Sequence, residues 1–492
     1  MNKSKLSDHI FKKGKFISPM NKAMGDVLVL TSWAKDRLPE YLWLACILDS
    51  FDRTVGLEKA YLILKKLSEL DSEINLPTFS NILKLSDNLK TQFFSYIHQI
   101  LDKNVFYPLT IIFSYSDCPI FSRQFCNPSI DLREREKKLT YLLNETSDHQ
   151  SNFSTDIRFL IIYFLVIKGK IIFNSALKDS VDMLAEYPYI SHDDEKMRTI
   201  RPLIRANEGC LQGMTDENNN DFINEFWERV SQMSDCQLSC INWGQEKTNT
   251  DDYITIIEPI FKYLSDFLTA EKPLDDKASV LIGISTYSYK RVRELSEYNI
   301  ANTITARSTI RVLVENYIMI KYLINNEPSK ENIWLAFKEY GIGCYKSIVA
   351  RARDLGEDFP LSHIEPKYIE CLVNSFKNEE FLDIDTSYFD KQGIREKAIS
   401  VNEKELWGRF YDYASSYEHG LWGSILESSM VMCNNPSHQF HFVPDSNNSQ
   451  KLKSVWSDAV MLMNKTLNYL NGIYEIPPEF LEKANEYEKQ LS

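Results

Sequence analysis

From Thr305 to Ile324 the chain carries no glycine or proline, and long apolar side chains recur at helical spacing. That pattern predicts one long helix. At about 100° per residue, Ile304, Val314, Ile318 and Tyr322 fall on one face, and Leu313, Tyr317, Ile320 and Ile324 on another. A helix apolar on two faces is buried on two faces, so this segment is expected to be the central helix of the C-terminal half. Arg307, Arg311 and Glu315 sit one turn apart within the first stripe. Charges in such a place need partners, because an unpaired buried charge is costly. Arg311 and Glu315, at i and i+4, are expected to be mostly buried and paired with each other or with a shared third group.

Elsewhere the apolar spacing is also helical. In the first half it marks Leu42 to Ile47 after Pro39, Gly56 to Leu67, Phe79 to Leu89, Thr91 to Leu101, Ile130 to Leu143 and Ser154 to Ile167. In the second half it marks Ile254 to Leu268, Lys277 to Ile300, Glu331 to Arg353 and Leu452 to Ile473. Tyr107 to Phe121 is β-prone and bracketed by two prolines, which predicts a short strand or an extended connection. Polar stretches at 213–222 and 244–252 interrupt the helical pattern and place a domain boundary near 245. The expected organisation is a basic arm over 1–25, a helical sensor or partner-binding domain over 26–245, and a second helical domain over 250–492. The fold class is all-α, with two helical domains, the C-terminal one a bundle around its central helix. Only 16 glycines and 17 prolines in 492 residues favour helices over a turn-rich β fold.

The net charge of −13 argues against a whole-protein nucleic-acid clamp and leaves room for a local basic site. The nine cysteines include no CxxC pair, which fits a reducing compartment. Cys236 and Cys240, four apart, read as simple neighbours on a helix. The longest apolar run, Phe159 to Ile167, is too short to span a bilayer as a helix. The lysine-rich N-terminus is not followed by the apolar segment of a signal peptide. A cytoplasmic protein with no membrane association is the expectation.

One segment has chemical potential. On a helical wheel Arg409, Asp412, Ser416 and His419 form a polar stripe, opposite Trp407, Phe410, Ala414, Tyr417 and Leu421. Gly420 suggests that the helix ends there, leaving the His419 imidazole available. Imidazole moves protons at neutral pH, and guanidinium stabilises a phosphate that gains charge. RNA supplies its own nucleophile, the 2′-hydroxyl, so a metal-free ribonuclease needs little more than these two groups in one cleft. The plainer reading has Asp412 fixing Arg409 and His419 capping its helix. Cys433, His438 and His441 are three ligand types in one loop without a fourth, and read as structural. Walker, GxGxxG, HExxH and GxSxG motifs do not occur, so neither a cofactor nor a metal is expected.

Three features together carry a family resemblance: Ala306-Arg307 through Arg311-Val-Leu-Val-Glu315, the Trp334/Phe337/Tyr340 helix, and Tyr413-Ala-Ser-Ser-Tyr-Glu-His-Gly420. The segment from about 275 to 475 resembles an uncharacterised all-helical bacterial family, itself similar to the HEPN ribonuclease superfamily of toxin–antitoxin and anti-phage systems. The resemblance implies a metal-independent endoribonuclease acting in defence, with RNA, a second defence-system protein and another copy of the chain as partners. The HEPN signature is an arginine, four to six residues, then histidine. Here nine residues separate Arg409 from His419. The resemblance therefore implies His419 and Arg409 as catalytic residues, with the arginine role open to Arg311 or Arg307 and Glu315 as its orienting partner. The alternative is a helical adaptor or scaffold subunit without chemistry, using aromatic-rich faces.

Overall fold

Short polar side chains set the helix starts. Ser86, Asp131, Ser151 and Asp275 each accept a hydrogen bond from the backbone N–H three residues on, at 3.4, 2.7, 3.0 and 3.0 Å. In the computed structural model, which describes residues 5–24, 32–171, 178–212, 220–244, 249–356 and 362–491, the architecture is predominantly α-helical with a few short strands. The expected polar stretches at 213–222 and 244–252, and the first residues of the arm, lie partly outside the described residues. Two compact units divide the chain: residues 1–238 with 432–441, and residues 239–431 with 442–492. The chain thus passes from the first unit to the second, back to the first and on to the second again, and each of the three crossings falls within or beside a short strand, at Leu238–Ser239, Met430–Cys433 and Phe442–Pro444.

The first unit is built on Leu38–Asp49, where every residue from Leu38 to Leu48 is buried, and on the equally apolar Asn152–Ile167. Buried charges here are paired, as their desolvation requires. Arg37 makes two bonds to Glu208, at 2.5 and 2.6 Å, and Glu40 accepts from the backbone N–H and the hydroxyl of Ser80. The arginine-rich helix Met197–Gln212 also turns inward: Arg201 donates to the His192 carbonyl and Arg205 to the Gln150 carbonyl. The expected strand or extended connection at 107–121 is instead a 3₁₀ turn, Tyr107–Ile111, followed closely by the helix Pro119–Phe125. The two prolines occupy first-turn positions, where a missing N–H costs nothing. Phe113, Phe121 and Phe125 then join a cluster with Phe79, Phe94 and Phe106 that a strand's alternation could not supply. The basic arm forms a hairpin, Ile10–Lys12 with Lys15–Ile17, about the positive-φ pair Lys13-Gly14.

In the second unit Ile304–Asn326 is the central helix, packed against Asp276–Glu297, Ile394–Ser400, Asp412–Glu418 and Trp456–Tyr474. Ile304 itself is exposed at the first turn, while both apolar faces beyond it are covered. The helix Ile333–Leu355 contains two glycines with different roles. A Cβ on Gly343 would lie 2.6 Å from the Asp383 carbonyl oxygen, whereas one on Gly341 would meet nothing within 4 Å. Gly343→Ala should therefore destabilise the protein by roughly 1–3 kcal/mol through overpacking. Gly341→Ala should stabilise it by up to about 1 kcal/mol through helix propensity. Denaturant titration of the two variants against wild type measures both signs.

Candidate functional site

The central helix brings Arg307, Arg311 and Glu315 to the segment that begins after Glu403. That segment is not one regular helix. A short turn Lys404–Leu406 leads into a π-helical turn, Trp407–Tyr411, and then the α-helix Asp412–Glu418. A π turn inserts an extra residue into the helical repeat and rotates the side chains of the next turn about the axis. It presents Tyr411 to the central helix. The Tyr411 hydroxyl donates to Glu315 Oε1 at 2.8 Å and accepts from Arg311 Nη2 at 3.1 Å, while Arg311 and Glu315 approach to 3.5 Å. The Arg311 guanidinium also lies 5.2 Å from the centre of the Tyr411 ring.

Arg311 and Glu315 are thus paired through a third group, and they are largely but not fully buried, with side chains 24% and 26% exposed. The fully buried member of the trio is Arg307. It donates to the Lys453 carbonyl at 2.5 Å and to the Thr303 carbonyl at 3.3 Å, and its guanidinium faces the Tyr417 ring. With its donors turned to backbone carbonyls, Arg307 is a structural clamp. Burial opposes the charge of Arg311, yet the bonds to Tyr411 and Glu315 outweigh it and raise its pKa.

Arg409 and His419 stand apart from this group. Both are exposed, and among the described residues neither side chain has a hydrogen bond or ion pair. Asp412 does not hold Arg409. Its pKa is raised by burial, against the pull of Arg395. Phe410, Ala414 and Tyr417 form the buried face, while Leu421, expected on that face, lies past the helix end and is exposed. The helix ends in a Schellman turn, with the Gly420 N–H on the Tyr417 carbonyl and the Leu421 N–H on the Ser416 carbonyl. Gly420 has φ +55°, a conformation that favours glycine. His419 is the C-cap residue immediately before it. Beyond the turn Leu421 and Trp422 are exposed.

Sequence reasoning misses Tyr411. An aromatic at the start of a polar stripe reads as packing, and the π turn that aims it has no pattern of its own. A second missed arrangement lies in the first unit, where Cys236 meets Cys433, His438 and His441; the four potential ligand atoms all lie within 4.8 Å of one another. Spacing alone sets Cys236 beside Cys240, its neighbour in sequence, and not beside these three.

Residues 281–438 match the model of a family of unknown function (DUF5677). The match spans the central helix, the π turn and the Schellman turn, and ends at His438. It agrees with the resemblance to an uncharacterised family and does not extend to the HEPN ribonucleases. No curated protein and no solved structure matches the chain. Among the described residues no helix is long and apolar enough to cross a membrane.

Two measurements check the central group. Tyr411→Phe removes one hydroxyl from two charged partners and should cost about 1–2 kcal/mol, with Arg311 and Glu315 left in direct contact. The pH dependence comes from the tyrosines. Burial first, and nearby acids second, raise the pKa of Tyr317, Tyr388 and Tyr411 above the ordinary value of about 10. The unfolded chain loses these protons first, so stability should be intact below about pH 10 and fall above it. Denaturation midpoints across that range should show a shallower fall for Tyr411→Phe.

Proposed function

We propose that the second unit is a metal-independent RNA-cutting module in which His419 moves the proton. The observation that carries this reading is the position of His419: an exposed imidazole held at a fixed helix end, with no hydrogen bond or ion pair among the described residues. The RNA 2′-hydroxyl would attack its own phosphorus while His419 takes the hydroxyl proton. The 5′ oxygen would leave with a proton from solvent, and the product would carry a 2′,3′-cyclic phosphate. Arg409, exposed on the same helical segment and without a hydrogen bond or ion pair among the described residues, would hold backbone phosphate. Arg311 is the weaker candidate for that role, since Tyr411 and Glu315 already engage it. The setting in anti-phage defence and the pairing of two copies rest on the family resemblance alone.

The second reading, a helical adaptor without chemistry, is favoured by one distance. From Arg409 to His419 the helix rises roughly 15 Å at about 1.5 Å per residue, too far for both to serve one phosphate. The exposed Tyr413, Leu421 and Trp422 beside them are suited to a protein partner.

His419→Ala decides between the two. For the nuclease, cleavage of RNA by the purified protein should fall by about 10²–10⁴-fold. The melting temperature should hold, since an exposed side chain contributes within about 0.5 kcal/mol. Equal cleavage by wild type and variant, or no cleavage by either on a broad panel of RNAs, favours the adaptor.

A further inference from the structure

We propose that Cys236, Cys433, His438 and His441 form a tetrahedral zinc site that belongs wholly to the first unit. Cys236 Sγ lies 3.4 Å from His438 Nδ1 and 3.2 Å from His441 Nε2, and Cys433 Sγ lies 3.6 Å from His438 Nδ1. Zn–S bonds of about 2.3 Å and Zn–N bonds of about 2.0–2.1 Å put the edges of a Cys₂His₂ tetrahedron at roughly 3.3–3.8 Å. The observed separations are close to those edges. Two sulfurs and two imidazoles in a tetrahedron are the donor set that selects zinc among common divalent ions.

The groups behind the ligands are those a metal site needs. His438 Nε2 lies 2.9 Å from the Ser234 carbonyl oxygen, which can only accept. That bond places the proton on Nε2 and leaves the Nδ1 lone pair facing the two sulfurs. The Gln237 N–H points at Cys433 Sγ at 3.3 Å, a contact that favours thiolate. Asn435, fully buried, donates to the Ser234 hydroxyl and the Asp235 carbonyl and accepts from the Ser437 N–H, which holds the ligand loop to the stretch of chain bearing Cys236. Gln439 and Phe440 are both left-handed, at φ 55° and 53°. Such strain persists only where the surroundings impose it; here it folds His438 and His441 back onto one centre. Cys236 and His441 are exposed along a cleft of about 570 Å³ also lined by Trp227 and Glu228, which gives the ion a way in. With four protein ligands the site is closed, and its role is to fasten 432–441 to the first unit. Zinc would bind as two thiol protons leave to solvent, with no change of oxidation state.

The full-length protein, purified without chelator, should carry about one zinc per chain by elemental analysis. Replacement by cobalt(II) should give the visible bands of a tetrahedral ion and a thiolate charge-transfer band. Cys236→Ser and His441→Ala, both at exposed positions and so compatible with folding, should each weaken zinc binding by at least about a hundredfold, beyond the 10–100-fold typical of losing an outer partner. Asn435→Ala should weaken it less. Wild-type protein with neither zinc nor a cobalt spectrum, a Cys236–Cys433 disulfide under reducing purification, or zinc retained undiminished in the Cys236→Ser/His441→Ala double variant would each overturn the site. RNA cleavage plays no part in this readout.

Discussion

The second unit depends on a single conflict within its central helix. Ile304–Asn326 must bury two faces, yet it carries Arg307, Arg311 and Glu315 at one-turn spacing. Each charge finds a different resolution. Arg307 goes to backbone carbonyls, which take charge-assisted bonds without bringing another ion into the core. Arg311 and Glu315 stay near the surface and share one hydroxyl. Further along, Lys321 reaches Glu403 at 2.5 Å, just ahead of the π turn. The elements around the helix are placed where those partners are required, and the π turn puts Tyr411 where a regular helix would have pointed another residue.

The ends of the stripe obey a different constraint. Where the helix stops at the Schellman turn, the backbone closes on itself and asks nothing of the His419 side chain. That separation between a satisfied backbone and an uncommitted imidazole underlies the proposed chemistry. It also explains why the Arg311 group and His419, eight residues from Tyr411 to the cap, do not act as one constellation in the hydrogen-bonding pattern.

The all-α class, the central helix and the buried face of Phe410, Ala414 and Tyr417 were legible in the sequence, because apolar spacing records which side of a helix is covered. The pairing of Arg311 with Glu315 was legible as well, since i and i+4 contact is local. Tyr411 was not, because a one-residue shift of helical register leaves no compositional trace. The Cys₂His₂ cluster was not, because three ligands sit within nine residues while the fourth lies almost two hundred residues away, and spacing rules describe only neighbours. The 107–121 segment misled for a related reason: prolines that open helices look the same as prolines that bound strands.

The return of the chain to the first unit over 432–441 sets the order in which the units can be completed during synthesis. Residues 1–238 leave the ribosome as a first unit still lacking its last ten residues, 432–441. At about 5–20 residues per second, those residues arrive roughly 10–40 s later, after 239–431 of the second unit have been made. For that interval the groove beside Asn220–Ser231 has no loop to receive, and Cys236 waits beside no other member of its cluster. The first unit can therefore be finished only after 239–431 have been made, and the second only after 442–492 have followed.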